Sequence, residues 1–129
     1  MRKIEGVHLL IDGYVQDKTV LNPDTLCSLF DSLVEVLKMK YLQRPIAMRV
    51  PLEIAKLETE DDEGGWSVSC QITTSHISIH CWPLRGAFMM DIFSCKSFDP
   101  SKAEIVVRKL LGVTEYHSQV ILRGDPRDL

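Results

Sequence analysis

The chain is 129 residues long and carries 15 Lys and Arg against 18 Asp and Glu, a formal net charge of -3. That length accommodates one hydrophobic core and is too short for two. A hydrophobic share of 45% excludes wholesale disorder, and the small acidic surplus argues against sequence-blind nucleic-acid binding, which needs cations to neutralise phosphates.

In chain order, Val7-His8-Leu9-Leu10-Ile11 reads as a buried strand ending near Asp12-Gly13. Asn22-Pro23-Asp24 then opens a helix, with proline at the first helical position. Leu26, Leu29, Phe30, Leu33, Val36 and Leu37 follow at helical spacing and predict one apolar stripe. Pro45 and Pro51 bracket Ile46 to Val50, a short extended segment ill suited to a sheet centre because proline cannot donate to a ladder. Glu58 to Glu63 holds five acids in six residues and predicts a solvated loop.

Three strand-like runs come next: Trp66 to Thr73, Ser75 to Trp82, and Ala87 to Phe93. Short separators containing Pro83 and Gly86 make them antiparallel neighbours. Asp99-Pro100-Ser101 begins a second helix, in which Ser101 and Glu104 have capping-box spacing. Ala103, Val106, Val107 and Leu110 form its stripe and Gly112 closes it. Tyr116 to Leu122 predicts a last strand. Sequential strands with two amphipathic helices predict an α+β fold: a two-layer sandwich, an antiparallel sheet with two helices packed on one face. The other face is left for water or a partner chain. No repeat or composition shift divides residues 1–129, which read as one domain.

Gly64 to Leu84 is a run of 21 residues without a charged side chain. Its length suits a membrane span, but Ser67, Ser69, Gln71, Thr73, Thr74, Ser75, His76, Ser78 and His80 would each need desolvation there. No apolar secretory core follows Met1-Arg2-Lys3, so a cytoplasmic protein with no membrane association is expected. Cys27, Cys70, Cys81 and Cys95 show no zinc-type spacing and are expected to be free thiols. Each alone is most simply a small buried hydrophobe.

His76 and His80 have the spacing of two zinc ligands on a helix. Ile77 and Ile79 alternate with polar residues, however, which marks a strand. There, residues four apart lie about 13 Å apart along the axis, too far for one metal ion. No metal site is expected. His76, Ser78, His80 and Trp82 share one face of this strand, while Ser75, Ile77, Ile79 and Cys81 share the other. Taken alone, His80 is most simply a hydrogen-bonded structural histidine.

The segment as a whole says more. Thr74-Ser75-His76-Ile77-Ser78-Ile79-His80-Cys81-Trp82-Pro83, followed by Gly86-Ala87-Phe88-Met89-Met90-Asp91-Ile92-Phe93-Ser94-Cys95, resembles the short prokaryotic form of the S-adenosylmethionine decarboxylase family. Gly6 to Ile11 and Leu122-Arg123-Gly124 extend the resemblance over most of the chain. It implies a self-processing carboxy-lyase of polyamine (spermidine) synthesis whose pyruvoyl cofactor is made from Ser75. The Ser75 hydroxyl would attack the Thr74 carbonyl, and His80 would help remove the Ser75 α-proton. Residues 1–74 and 75–129 would separate as two chains. Ser67 matches a serine that assists processing and lines the site, and Cys95 a proton donor to the substrate carbon. On this basis Ser67, Ser75 and His80 are expected to meet in a desolvated site, in a homodimer acting on a small amino-acid-type substrate.

Three positions depart from that pattern. Thr74 stands where the family has glutamate, and Leu84 replaces a glutamate that holds ribose hydroxyls. The acidic loop around Asp61 replaces an adenine-stacking phenylalanine, and no aromatic lies between Tyr41 and Trp66. The same chemistry on ornithine or arginine, and an unprocessed, non-catalytic binding or regulatory subunit, therefore stand beside S-adenosylmethionine decarboxylation.

Overall fold

A computed structural model describes residues 4–59 and 62–128 of the chain. Among these, six strands form one sheet: β1 (Glu5–Val15), β2 (Tyr41–Val50), β3 (Gly65–Ile72), β4 (Ser75–Trp82), β5 (Ala87–Ser94) and β6 (Val113–Gly124). Their order is β2-β3-β4-β5-β1-β6, and every neighbouring pair is antiparallel. The helices are α1 (Pro23–Val36), α2 (Leu52–Glu58) and α3 (Pro100–Leu111). The α+β sandwich expected from the sequence is thus the observed architecture.

Strand alternation decides where the core lies. Leu9 and Ile11 of β1, Val68 and Cys70 of β3, Ile77, Ile79 and Cys81 of β4, and Phe88, Met90 and Ile92 of β5 point to one face and are buried. Onto that face α1 packs Leu26, Leu29, Phe30 and Leu33, and α3 packs Ala103, Val107 and Leu111. Directly paired residues share a face, so the register puts His8, His76, Ser78, His80, Met89, Asp91, Phe93 and Ser67 together on the opposite face. Helices α1 and α3 lie on the other side, and Met89, Met48, Ile46, Tyr14 and Ile121 are exposed here.

Local chemistry accounts for most boundaries. Asn22 caps α1 by accepting from Thr25 N–H at 2.9 Å, and Gly112 ends α3 at φ 63°, a left-handed conformation glycine takes without a Cβ clash. Pro45 lies inside β2, where the register with β3 shifts between Gln43 and Ile46. An edge strand tolerates the missing donor, so β2 stays at the rim.

Several expectations need correction. Strand β1 runs through Asp12-Gly13 to Val15, since β5 pairs with it as far as Tyr14 and β6 as far as Val15. Val36 and Leu110 are exposed, and Val34 and Leu111 are buried in their place. Asp99, not Ser101, caps α3: its carboxylate accepts from Ser101 N–H at 2.9 Å, two residues before the start of the proposed capping box. Helix α2 was not expected, and Glu58 is its last residue. Glu60 and Asp61 lie outside the described residues. Asp62 and Glu63 are not simply solvated: Asp62 accepts from Gly64 N–H (2.8 Å) and Trp82 Nε1–H (3.1 Å), and Glu63 accepts from Leu84 N–H (2.8 Å). Backbone donors of Leu84 and Arg85 at the β4–β5 turn bind Glu63, the Trp82 indole binds Asp62, and together they strap the acidic segment to that turn.

Candidate active site

Two polar groups occupy opposite ends and opposite faces of β4. The first surrounds the tight turn, Thr73-Thr74, that joins β3 to β4. Thr74 has φ 51°, a left-handed backbone that is unfavourable for a β-branched residue. Ser75, the next residue, is 5% exposed and faces the helices. Its Oγ accepts from Cys95 N–H at 3.0 Å and lies 3.4 Å from Ser94 Oγ and 3.7 Å from Cys95 Sγ. Cys95 Sγ is also 2.7 Å from Thr74 Oγ1. The register of β5 against β4 makes this cluster, because Ser94 and Cys95 leave β5 alongside the start of β4. Beside it a cavity of about 220 Å³ is lined by Gly6, Val7, Cys95, Ser97, Leu122 and Arg123, together with Glu5.

The second group is on the open face. Ser67 and His80 are direct partners in the β3–β4 ladder, and Ser67 Oγ lies 2.8 Å from His80 Nδ1. Both line a cavity of about 350 Å³ with Val50, Asp62, Trp66, Trp82 and Met89. His80 is exposed. Ser75 and His80 are five residues apart in one strand, about 16 Å along its axis, and odd spacing turns their side chains to opposite faces. The expected meeting of Ser67, Ser75 and His80 in one dry site therefore does not occur within a single chain. Strand geometry brings Ser75 to Cys95 and Ser67 to His80, and keeps the pairs apart.

His76 behaves as the strand assignment requires: its Nε2 is 3.1 Å from Asp91 Oδ1, which His8 Nε2 approaches at 3.4 Å, and Ser78 Oγ donates to Asp91 Oδ2 at 3.2 Å. None of these contacts involves His80. The four cysteines form no disulfide. Burial raises the Cys70 and Cys81 thiols from 9.0 to about 11, so both stay protonated at neutral pH. No described helix is long and apolar enough to cross a membrane.

Motif spacing missed Asp62, Trp66 and Trp82 as lining groups. Trp66 directly precedes Ser67, so an aromatic does border this pocket, although none precedes it in the acidic segment. Only the fold of that segment onto the β4–β5 turn brings Asp62 there.

This is an α+β sandwich with a serine–thiol cluster at a strained hairpin, and its relatives are of one kind. The S-adenosylmethionine decarboxylase family matches residues 7–124. An S-adenosylmethionine decarboxylase proenzyme of Clostridium botulinum strain Hall is 32% identical over 123 residues, covering 95% of this chain and 97% of that one. One from Pyrobaculum neutrophilum is 40% identical over 50 residues, 37% of this chain and 40% of its own. The crystal structure of the adenosylmethionine decarboxylase from Aquifex aeolicus superposes with a TM-score of 0.73 at 23% identity, over 96% of this chain and 94% of that one, and shares the fold. The chain belongs to the S-adenosylmethionine decarboxylase family. Its class is that of a decarboxylase, a carboxy-lyase.

Proposed function

We propose that the chain is a proenzyme that cuts itself between Thr74 and Ser75 and then decarboxylates S-adenosylmethionine in the cytoplasm, for polyamine synthesis. The observation that carries this is Thr74 at φ 51° immediately before a buried serine whose Oγ is held by the Cys95 amide. A strained residue raises the ground state of the bond that must break. Ser75 Oγ adds to the Thr74 carbonyl carbon and the amide nitrogen leaves, converting amide to ester. Loss of the Ser75 α-proton expels the Thr74 carboxylate and leaves a dehydroalanine. Water then displaces its nitrogen as ammonia, and residue 75 becomes a pyruvoyl group at the head of residues 75–129.

The residues present fit that group: a buried start of strand, the neighbouring thiol of Cys95 at 3.7 Å from Ser75 Oγ, and an adjoining cavity. When formed, it supplies the electron sink that decarboxylation needs. Cys95 is placed to hold and return a proton near that position. Ser67 and His80 complete the processing machinery from a second copy. A homodimer paired through the open sheet faces covers Met89 and Ile121 and brings the Ser67–His80 pair of one copy to the end of the sheet where its partner's Thr74–Ser75 turn reverses the chain. The homodimer is then part of the chemistry.

Decarboxylation of ornithine or arginine on the same scaffold is favoured by one observation. Leu84, where the family resemblance calls for a glutamate, is 77% exposed, and the nearby acid, Asp62, comes from another segment. Denaturing mass spectrometry of the purified protein tests the proposal. We expect two chains, of residues 1–74 and 75–129, the second reacting with a carbonyl reagent, and a single intact chain for Ser75→Ala. An uncut wild type refutes the proposal. Carbon dioxide release from S-adenosylmethionine, ornithine and arginine separates the substrates.

A further inference from the structure

We propose that Asp62 determines substrate specificity by recognising a positive charge in the substrate's side chain, in the cavity that ends at Ser67 and His80. The inference rests on that cavity being part of the substrate site. Three features carry it. The first is the way the carboxylate is held. Its Oδ1 accepts both Gly64 N–H at 2.8 Å and Trp82 Nε1–H at 3.1 Å, while Oδ2 has no hydrogen-bond partner among the described residues. One oxygen orients the group and the other is available to a ligand.

The second is the charge of the lining. Val50, Asp62, Gly64, Trp66, Ser67, His80, Cys81, Trp82 and Met89 surround about 350 Å³, and no lysine or arginine is among them. Asp62 brings a carboxylate that no lysine or arginine among the described lining residues balances. The third is the Trp82 indole beside the carboxylate. Aromatic faces attract cations through their quadrupole, and Trp66 already does so outside the cavity lining, with the Arg49 guanidinium 5.7 Å from its ring. Trp82 carries no such cation among the described residues. A carboxylate hydrogen-bonded to an indole in such a cavity is suited to a sulfonium, ammonium or guanidinium and offers little to a neutral alkyl chain.

The position is also consistent with a role in selection. Trp82 is two residues after His80 on the same face of β4, so a ligand bound at Asp62 adjoins the Ser67–His80 pair without displacing it. The charge at Asp62 is thus a contact for the distal part of the substrate.

Equilibrium binding tests the idea with matched charged and neutral ligands: S-adenosylmethionine against S-adenosylhomocysteine, and ornithine against norvaline. We expect the wild type to favour the charged member of one pair. Asp62→Asn keeps an oxygen for Gly64 N–H and Trp82 Nε1–H and loses only the charge. It should weaken that charged ligand about ten- to hundredfold, the range of a charge-assisted hydrogen bond, and leave its neutral partner unaffected. Trp82→Phe, which removes the donor that pins Asp62, should give a smaller loss in the same direction. The pair that responds identifies the source of the cation as sulfonium or amine. A wild type that does not distinguish charged from neutral ligands, or an Asp62→Asn protein that discriminates as well as wild type, overturns the inference. Because these are binding measurements, they read Asp62 even if the chain proves uncut, a result that would refute the proposed function alone.

Discussion

The two ends of β4 present opposite chemical environments. At its start, Ser75 is buried, held by a backbone amide and faced by a thiol, all supplied by one chain. Near its far end, His80 stands exposed on the open sheet face, with Ser67 at hydrogen-bond distance and Met89 its partner in β5. A nucleophile and a leaving bond can be prepared inside one hairpin, because the ladder brings residues 75 and 95 together. His80 lies on the other face, about 16 Å away along the strand, so on the proposed mechanism it acts on a second chain. On the proposed self-cleavage, the contrast divides the machinery into halves, one formed within a single chain and one supplied by a partner copy.

The most severe challenge to this comparison is complementation. His80→Ala alone should slow self-cleavage by roughly 10²–10⁴-fold, the usual contribution of a general base, and Ser75→Ala should abolish it. Co-expressed, the two chains should form mixed dimers in which the His80→Ala chain is cut by its partner's imidazole, visible as the 75–129 fragment of that chain. If mixing restores nothing, His80 acts within its own chain and the division into halves is wrong.

A smaller effect sharpens the hairpin side. Backbone strain at a non-glycine residue with positive φ is worth on the order of 1–3 kcal/mol. Thr74→Gly relaxes it, so cleavage should slow about tenfold. In the uncleavable Ser75→Ala background, the same change should raise the thermal midpoint. Unchanged cleavage kinetics would remove strain from the mechanism while leaving Ser75 and Cys95 in place.

The least effect concerns the dry layer under the helices. Burial raises Cys70 and Cys81 from 9.0 to about 11, so the fold favours their neutral forms. Above pH 9 the unfolded chain binds fewer protons at these thiols than the folded one, so unfolding is promoted as pH rises. The stabilisation is intact below pH 9 and lost as the pH climbs through 11. Urea midpoints at pH 8 and pH 10.5 should show the fall, and Cys70→Ala should make it shallower. A midpoint independent of pH would mean that this layer is wetter than its packing indicates.

Much of the fold was legible because it rests on local rules. Alternation in Ser75 to Trp82 marked a strand and sorted its faces, which dismissed a zinc pair at His76 and His80. Asn22-Pro23 and Gly112 marked a helix start and a helix end. Where several residues competed for one role, tertiary packing chose: Asp99 capped α3 ahead of Ser101, and Val34 and Leu111 took burial from Val36 and Leu110. Helix α2 has a single buried residue, Ala55, so no apolar stripe announces it.

The site divides along the same line. The sequence by itself determined which chemical groups are present, since Ser67, Ser75, His80 and Cys95 recur at motif intervals and a strand's period assigns each to a face. Only the tertiary structure decided which of them touch. Strand register joined Ser75 to Cys95 and Ser67 to His80, and the fold of the acidic segment onto the β4–β5 turn brought Asp62 to Trp82. Motif spacing counts residues along the chain, whereas hydrogen bonds act over about 3 Å through space, and in a sheet those two measures agree only where the ladder makes them.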